Sequence, residues 1–71
     1  MLTIYEKKKM VAEWNTKYQP GQPVLVNTGR GENIETTTIT RAMMISLNLP
    51  VVWCRDISDF IRLIDVKPIE G

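Results

Sequence analysis

Four short runs rich in β-branched residues, 23–27, 34–41, 51–55 and 60–63, follow one another in this chain, punctuated by Gly, Pro and Asp. Strands that short bury an apolar face only by curling on one another. The pattern therefore predicts a small, strongly bent antiparallel barrel preceded by a helix. The chain has 71 residues, which sets the expectation of one domain over 1–71, with the helix at 3–18 and the barrel at 22–70. A domain of this size buries only ~60% of the surface its unfolded chain exposes. Its stability is expected at or below the low end of the usual ~5–15 kcal/mol.

The helix has a local start signal. Thr3 and Glu6 form a T-x-x-E capping box, in which the hydroxyl accepts from the N–H of Glu6 and the carboxylate accepts from the N–H of Thr3. Ile4, Val11, Trp14 and Tyr18 then share one helical face, with Met10 beside Trp14. Lys7, Lys9, Glu13 and Lys17 form a solvated side. Pro20 ends the helix, because its ring fixes φ and disfavours helical geometry at Gln19.

Asn27, Thr28, Gly29, Arg30 and Gly31 read as a hairpin loop, with the two glycines supplying positive φ. In the second strand Ile34, Thr36, Thr38 and Thr40 alternate onto one face. The threonines suit a half-exposed ribbon whose hydroxyls pair across strands. As nucleophiles they lack an activating base. Met43, Met44, Ile45, Leu47 and Leu49 fit one helical turn, or an apolar loop plugging the end of the barrel. Asn48 and Pro50 oppose a longer helix there. A third strand at 50–55, a turn at Asp56–Asp59, a fourth strand at 60–63 and a closing step at 65–69 complete the expectation. Trp14 and Trp53 belong in or near the core.

Composition excludes several function classes. Nine basic and eight acidic residues leave a net charge of +1, far from the basic footprint of a dedicated nucleic-acid binder. There is no histidine and one cysteine, so no ligand set is spaced for a metal and no internal disulfide can form. No cofactor is expected. A reducing, cytoplasmic setting is the natural reading. No apolar run approaches the ~18–20 residues of a membrane span. The stretch after Lys7-Lys8-Lys9 is too short and too polar for a signal-peptide core.

Each chemically capable residue has a simpler role beside its functional one. Cys54 has no histidine to generate a thiolate and reads as a buried, inert core residue. Gly29-Arg30-Gly31 lacks the spacing of a phosphate loop and precedes a strand, so a hairpin turn explains it. Asp56 and Asp59 flank a turn, where aspartate bonds to its own backbone, and Asp65 lies beyond the fourth strand. Arg41, Arg55 and Arg62 make a small basic patch beside Trp53 or Phe60 if they share an outer face, or else a solvated surface with Asp56 and Asp59 as partners. The Met43–Leu49 stretch, with Met43 and Met44, suits an adaptable binding surface, against the simpler role of core plug.

The blocks E-W-N-x-K-Y-x-x-G-x-P-V from Glu13, G-E-x-I-E-T-x-T from Gly31, P-V-V-W from Pro50 and V-K-P-I from Val66 carry a resemblance. In this order and spacing they resemble a family of small uncharacterised proteins of bacteriophages, prophages and other bacterial mobile DNA. The chain departs from that pattern at Met43-Met44-Ile45, where an alanine followed by an aromatic is more usual. The resemblance implies a five-stranded antiparallel SH3-like barrel, here mainly β with an N-terminal α-helix, and no activity. The resulting expectation is a non-enzymatic protein-interaction module, an accessory protein of a phage or other mobile element. Arg41, Met43, Met44, Arg55 and Arg62 are its candidate contact residues. The alternative is a small nucleic-acid-binding barrel that uses a basic and aromatic face. The oligomeric state stays open.

Overall fold

The computed structural model describes residues 2–46 and 48–70. Helix α1 runs over Ile4–Lys17, and the Thr3–Glu6 capping box closes it in both directions at 3.1 and 3.2 Å. Tyr18 ends it in an extended conformation, its N–H donating to the Trp14 carbonyl. Gly21 follows at φ +99°, a left-handed value that turns the chain into β1. The expected helical face is occupied in part. Trp14 is buried, with Met10, Val11 and Tyr18 packed beside the core. Ile4 is 51% exposed instead. Periodicity sets the side to which Ile4 points, but not whether anything lies beneath the first turn.

Among the described residues six strands follow: β1 Pro23–Asn27, β2 Asn33–Thr37, β3 Met43–Ile45, β4 Leu49–Val52, β5 Ile61–Arg62 and β6 Val66–Pro68, with a 3-10 turn at Leu63–Asp65 before the last. They form two antiparallel three-stranded sheets, ordered β2-β1-β6 and β3-β4-β5. The expected five-stranded SH3-like barrel is therefore not formed. Closure requires a continuous ladder from edge to edge. Here the ladder of the second strand stops at Thr37 rather than reaching Arg41, and the pairing passes between the sheets only at an isolated bridge, Thr38 to Cys54.

The segment around Met43 is also corrected. It is neither a helical turn nor a loop, because Met43, Met44 and Ile45 pair with Val51, Pro50 and Leu49. The hairpin turns through Ser46 at φ +51°, whose carbonyl accepts from the N–H of Asn48 at 2.9 Å. Leu47, part of the same expectation, lies outside the described residues. A three-residue apolar run has no period of its own, so a neighbouring strand decides its conformation. The β1–β2 loop forms as expected, with Gly29 and Gly31 at φ +83° and +78° and the Asn27 side chain accepting from the Gly29 N–H.

The core lies between the two sheets and under the helix. Trp14 belongs to one buried cluster with Val24, Val26 and Val66 of the first sheet, Val52 of the second, and Ala42, Cys54 and Leu63 from the connections. Val51 and Val52 are both fully buried. Successive strand residues point to opposite faces, so β4 is covered on both sides, and α1 lies against β3 and β4. Of the two tryptophans expected in or near the core, Trp14 is in it, whereas Trp53 is half-buried outside this cluster, its ring edge-on to Phe60 at 6.2 Å.

The threonines of the second run form the seam between the sheets. The Thr36 hydroxyl donates to the Arg55 carbonyl at 2.8 Å, and the Thr40 hydroxyl accepts from the Trp53 N–H at 3.2 Å. Between them Thr38, only 2% exposed, bridges Cys54 and accepts from the Gln22 N–H through its hydroxyl. The hydroxyls of Thr36, Thr38 and Thr40 thus serve the junction, but the regular alternation expected from Ile34 to Arg41 is not kept: the strand ends at Thr37, and Ile34 is exposed.

Candidate functional site

The five candidate contact residues fall at different places. Arg41 is exposed in the segment before β3. Met43 and Arg62 flank Val51 as cross-strand neighbours, one on β3 and one on β5. Met44 pairs with Pro50 and is half-buried; strand alternation puts it on the opposite face from Met43. Arg55 follows the seam, where its N–H donates to the Thr37 carbonyl. It lines a cleft with Glu35, Thr36, Thr37 and Asp56. Arg62 borders a different cleft, against α1. Arg55 and Arg62 therefore serve separate surfaces, and the acidic neighbours Glu35 and Asp56 surround Arg55 alone.

The partner of Arg62 is Asp65 rather than Asp56 or Asp59. Its Nε donates to one carboxylate oxygen at 3.0 Å, and one terminal nitrogen stands 2.9 Å from the same oxygen as an ion pair. The 3-10 turn sets this spacing by placing Asp65 three residues after Arg62. Asp59 accepts from the Phe60 N–H at 2.8 Å, as aspartate does in a turn, and Asp56 takes a left-handed φ of +64°.

Two apolar grooves adjoin along the helix, sharing Met10. The first, about 260 Å³, has Trp14, Tyr18, Leu63, Val66 and Pro68 as its walls and Glu13 and Lys17 at its rim. Charges of both signs border it. The second, about 240 Å³, is formed by Leu2 ahead of α1, Met10, Leu49 and Pro50 of β4, and Ile64 of the 3-10 turn. Its ionisable lining residues are Lys7 and Arg62, both cations. Leu2 and Ile64 leave 38% and 64% of their surfaces to solvent. Both volumes fall below the ~300–1,000 Å³ of ordinary small-molecule pockets. They suit one or two side chains of a partner.

The sequence pattern did not single out Leu2, Lys7, Met10, Leu49, Pro50 or Ile64 as a set. Leu2 and Ile64 carry the only visible signal, as large apolar residues outside the periodic core faces.

Two titratable groups are shifted. Burial pushes the Cys54 thiol above its ordinary value, consistent with a core residue and opposed to a thiolate nucleophile. The Tyr18 hydroxyl donates to Glu70 at 2.7 Å, and this hydrogen bond, then desolvation and the carboxylate charge, raise its pKa. Among the described residues there is no cluster of three or more His, Cys, Asp or Glu placed to hold a metal. No helix among them is long and apolar enough to cross a membrane. No family model matches the chain, and no significantly similar curated protein or solved structure was found.

Proposed function

We propose that this chain is a non-enzymatic module that binds another protein through the groove between α1, β4 and the 3-10 turn. The observation that carries this reading is the groove's lining, which joins apolar side chains from three separated parts of the chain and leaves Leu2 and Ile64 accessible. Apolar surface shared among elements in this way gives up free energy of about 25 cal/mol per Å² when a partner covers it. The side chains there include neither a nucleophile nor an acid–base pair. The four sequence blocks that resemble phage and mobile-element proteins support a place among the accessory proteins of such an element.

The test is capture of host proteins by the wild type and by Ile64→Asp, with and without nuclease. Ile64 is exposed, so the variant is expected to melt as the wild type does. A protein held by the wild type, resistant to nuclease and lost from the folded variant supports the reading. Bound material that nuclease removes, or equal capture by both chains, overturns it.

A further inference from the structure

We infer that the occupant of this groove is an apolar peptide segment bearing a carboxylate; the inference rests on the protein-binding reading above and specifies the chemistry of the partner. Charge complementarity carries it. Lys7 on α1 and Arg62 on β5 both line the groove. Asp65 accepts from the Arg62 Nε, pairs with one terminal nitrogen and offsets the guanidinium's charge. The other terminal nitrogen of the fork keeps its N–H donors. Lys7 supplies the net positive charge. Its ammonium sits on a flexible stem whose methylenes can lie along the apolar wall while the head stays at the rim.

An apolar segment with a basic residue would bring like charges together at this rim. A segment with aspartate or glutamate beside its apolar anchor would meet Lys7 and the open side of the Arg62 fork. The groove volume of about 240 Å³ admits an anchor side chain or two, rather than a whole cofactor.

The experiment titrates the intact, isotope-labelled protein with a short blocked peptide alternating leucine and aspartate, and separately with its leucine–lysine counterpart. Backbone amide shifts are read at each step. The acidic peptide is expected to shift Leu2, Lys7, Leu49 and Ile64 and to bind about fivefold more tightly than the basic one, the upper end of what an exposed charge pair contributes. Lys7→Glu should remove that preference or reverse it. A negative charge in the first turns suits the helix N-terminus, so this variant keeps its fold.

Equal binding of the two peptides in the groove overturns the acidic partner while leaving the protein-binding reading intact. Shifts by an oligonucleotide, with none by either peptide, overturn both. Absence of shifts at these residues, or a dimer in sedimentation that Ile64→Asp dissociates, also overturns the inference, the latter because a second copy then covers the groove.

Discussion

Asn15 on the helix clasps the backbone of Ala42 from both sides: its Nδ2 donates to the Ala42 carbonyl and its Oδ1 accepts from the Ala42 N–H, each at 2.9 Å. The two residues are 27 positions apart. One amide side chain thus satisfies both polar groups of a buried residue that belongs to no strand, just where the chain enters β3.

Asn15→Leu keeps the volume and removes both partners. It is expected to cost about 1–3 kcal/mol, because the N–H and the carbonyl of Ala42 are left unpaired in a partly buried place. Urea unfolding measures this. A loss below about 0.5 kcal/mol, less than a single ordinary hydrogen bond contributes, would mean that water replaces the clasp.

Trp14→Ala is expected to destabilise the fold by about 3–5 kcal/mol, the range for removing a large aromatic from a core. Trp14 is the one buried residue of α1 and belongs to the core cluster that draws on both sheets. Given the modest stability of a domain this small, the variant should be largely unfolded at 25 °C, visible as lost near-ultraviolet circular dichroism. An unchanged melting curve contradicts the packing of α1 described above.

Tyr18 gives a pH dependence with a definite sign. Its hydrogen bond to Glu70 stabilises the protonated phenol in the folded state, so the folded pKa lies above the ordinary value of about 10. The resulting stability is fully present below the unfolded pKa and is lost as pH rises through the folded one. Alkaline difference spectra should show Tyr18 titrating late, and Glu70→Gln should bring it back toward the ordinary value. A Tyr18 that titrates identically in both proteins shows that the hydrogen bond does not form in solution.

Cys54 is fully buried, and its thiol is held protonated by that burial. Labelling by a thiol reagent should be slow in the native protein and fast in denaturant, with the native rate following the opening of the seam at Thr38. Rapid native labelling would place the sulfur at the surface.

Local chemistry made part of this fold legible. The Thr3–Glu6 box, the glycines of the β1–β2 loop and the aspartate turn at Asp59 each act within a few residues, and the structure contains all three. The pairing of β3 with β4 was not legible, since Met43, Met44 and Ile45 have no period that separates strand from turn. Nor was the failure to close. Barrel closure depends on which edges meet, and a threonine that continues a ladder looks the same in sequence as one that ends it. The Asn15 clasp and the groove of Leu2, Lys7, Arg62 and Ile64 depend on contacts between distant segments. Arg62 was visible as a candidate, but its partner depended on the 3-10 turn that brings Asp65 beside it.

An unclosed pair of sheets leaves strand margins open to association with another chain, and β6 meets that hazard with its backbone. Lys67 pairs with Leu25 and the Ile69 N–H donates to Pro23, so the alternate positions, Val66 and Pro68, face away from β1. The Val66 N–H is already spent on the Leu63 carbonyl, and Pro68 has none. Neither position offers a donor to an incoming strand. The β6 margin therefore resists templated stacking through its missing donors, and the exposed Lys67 at its centre adds a charge to the same edge.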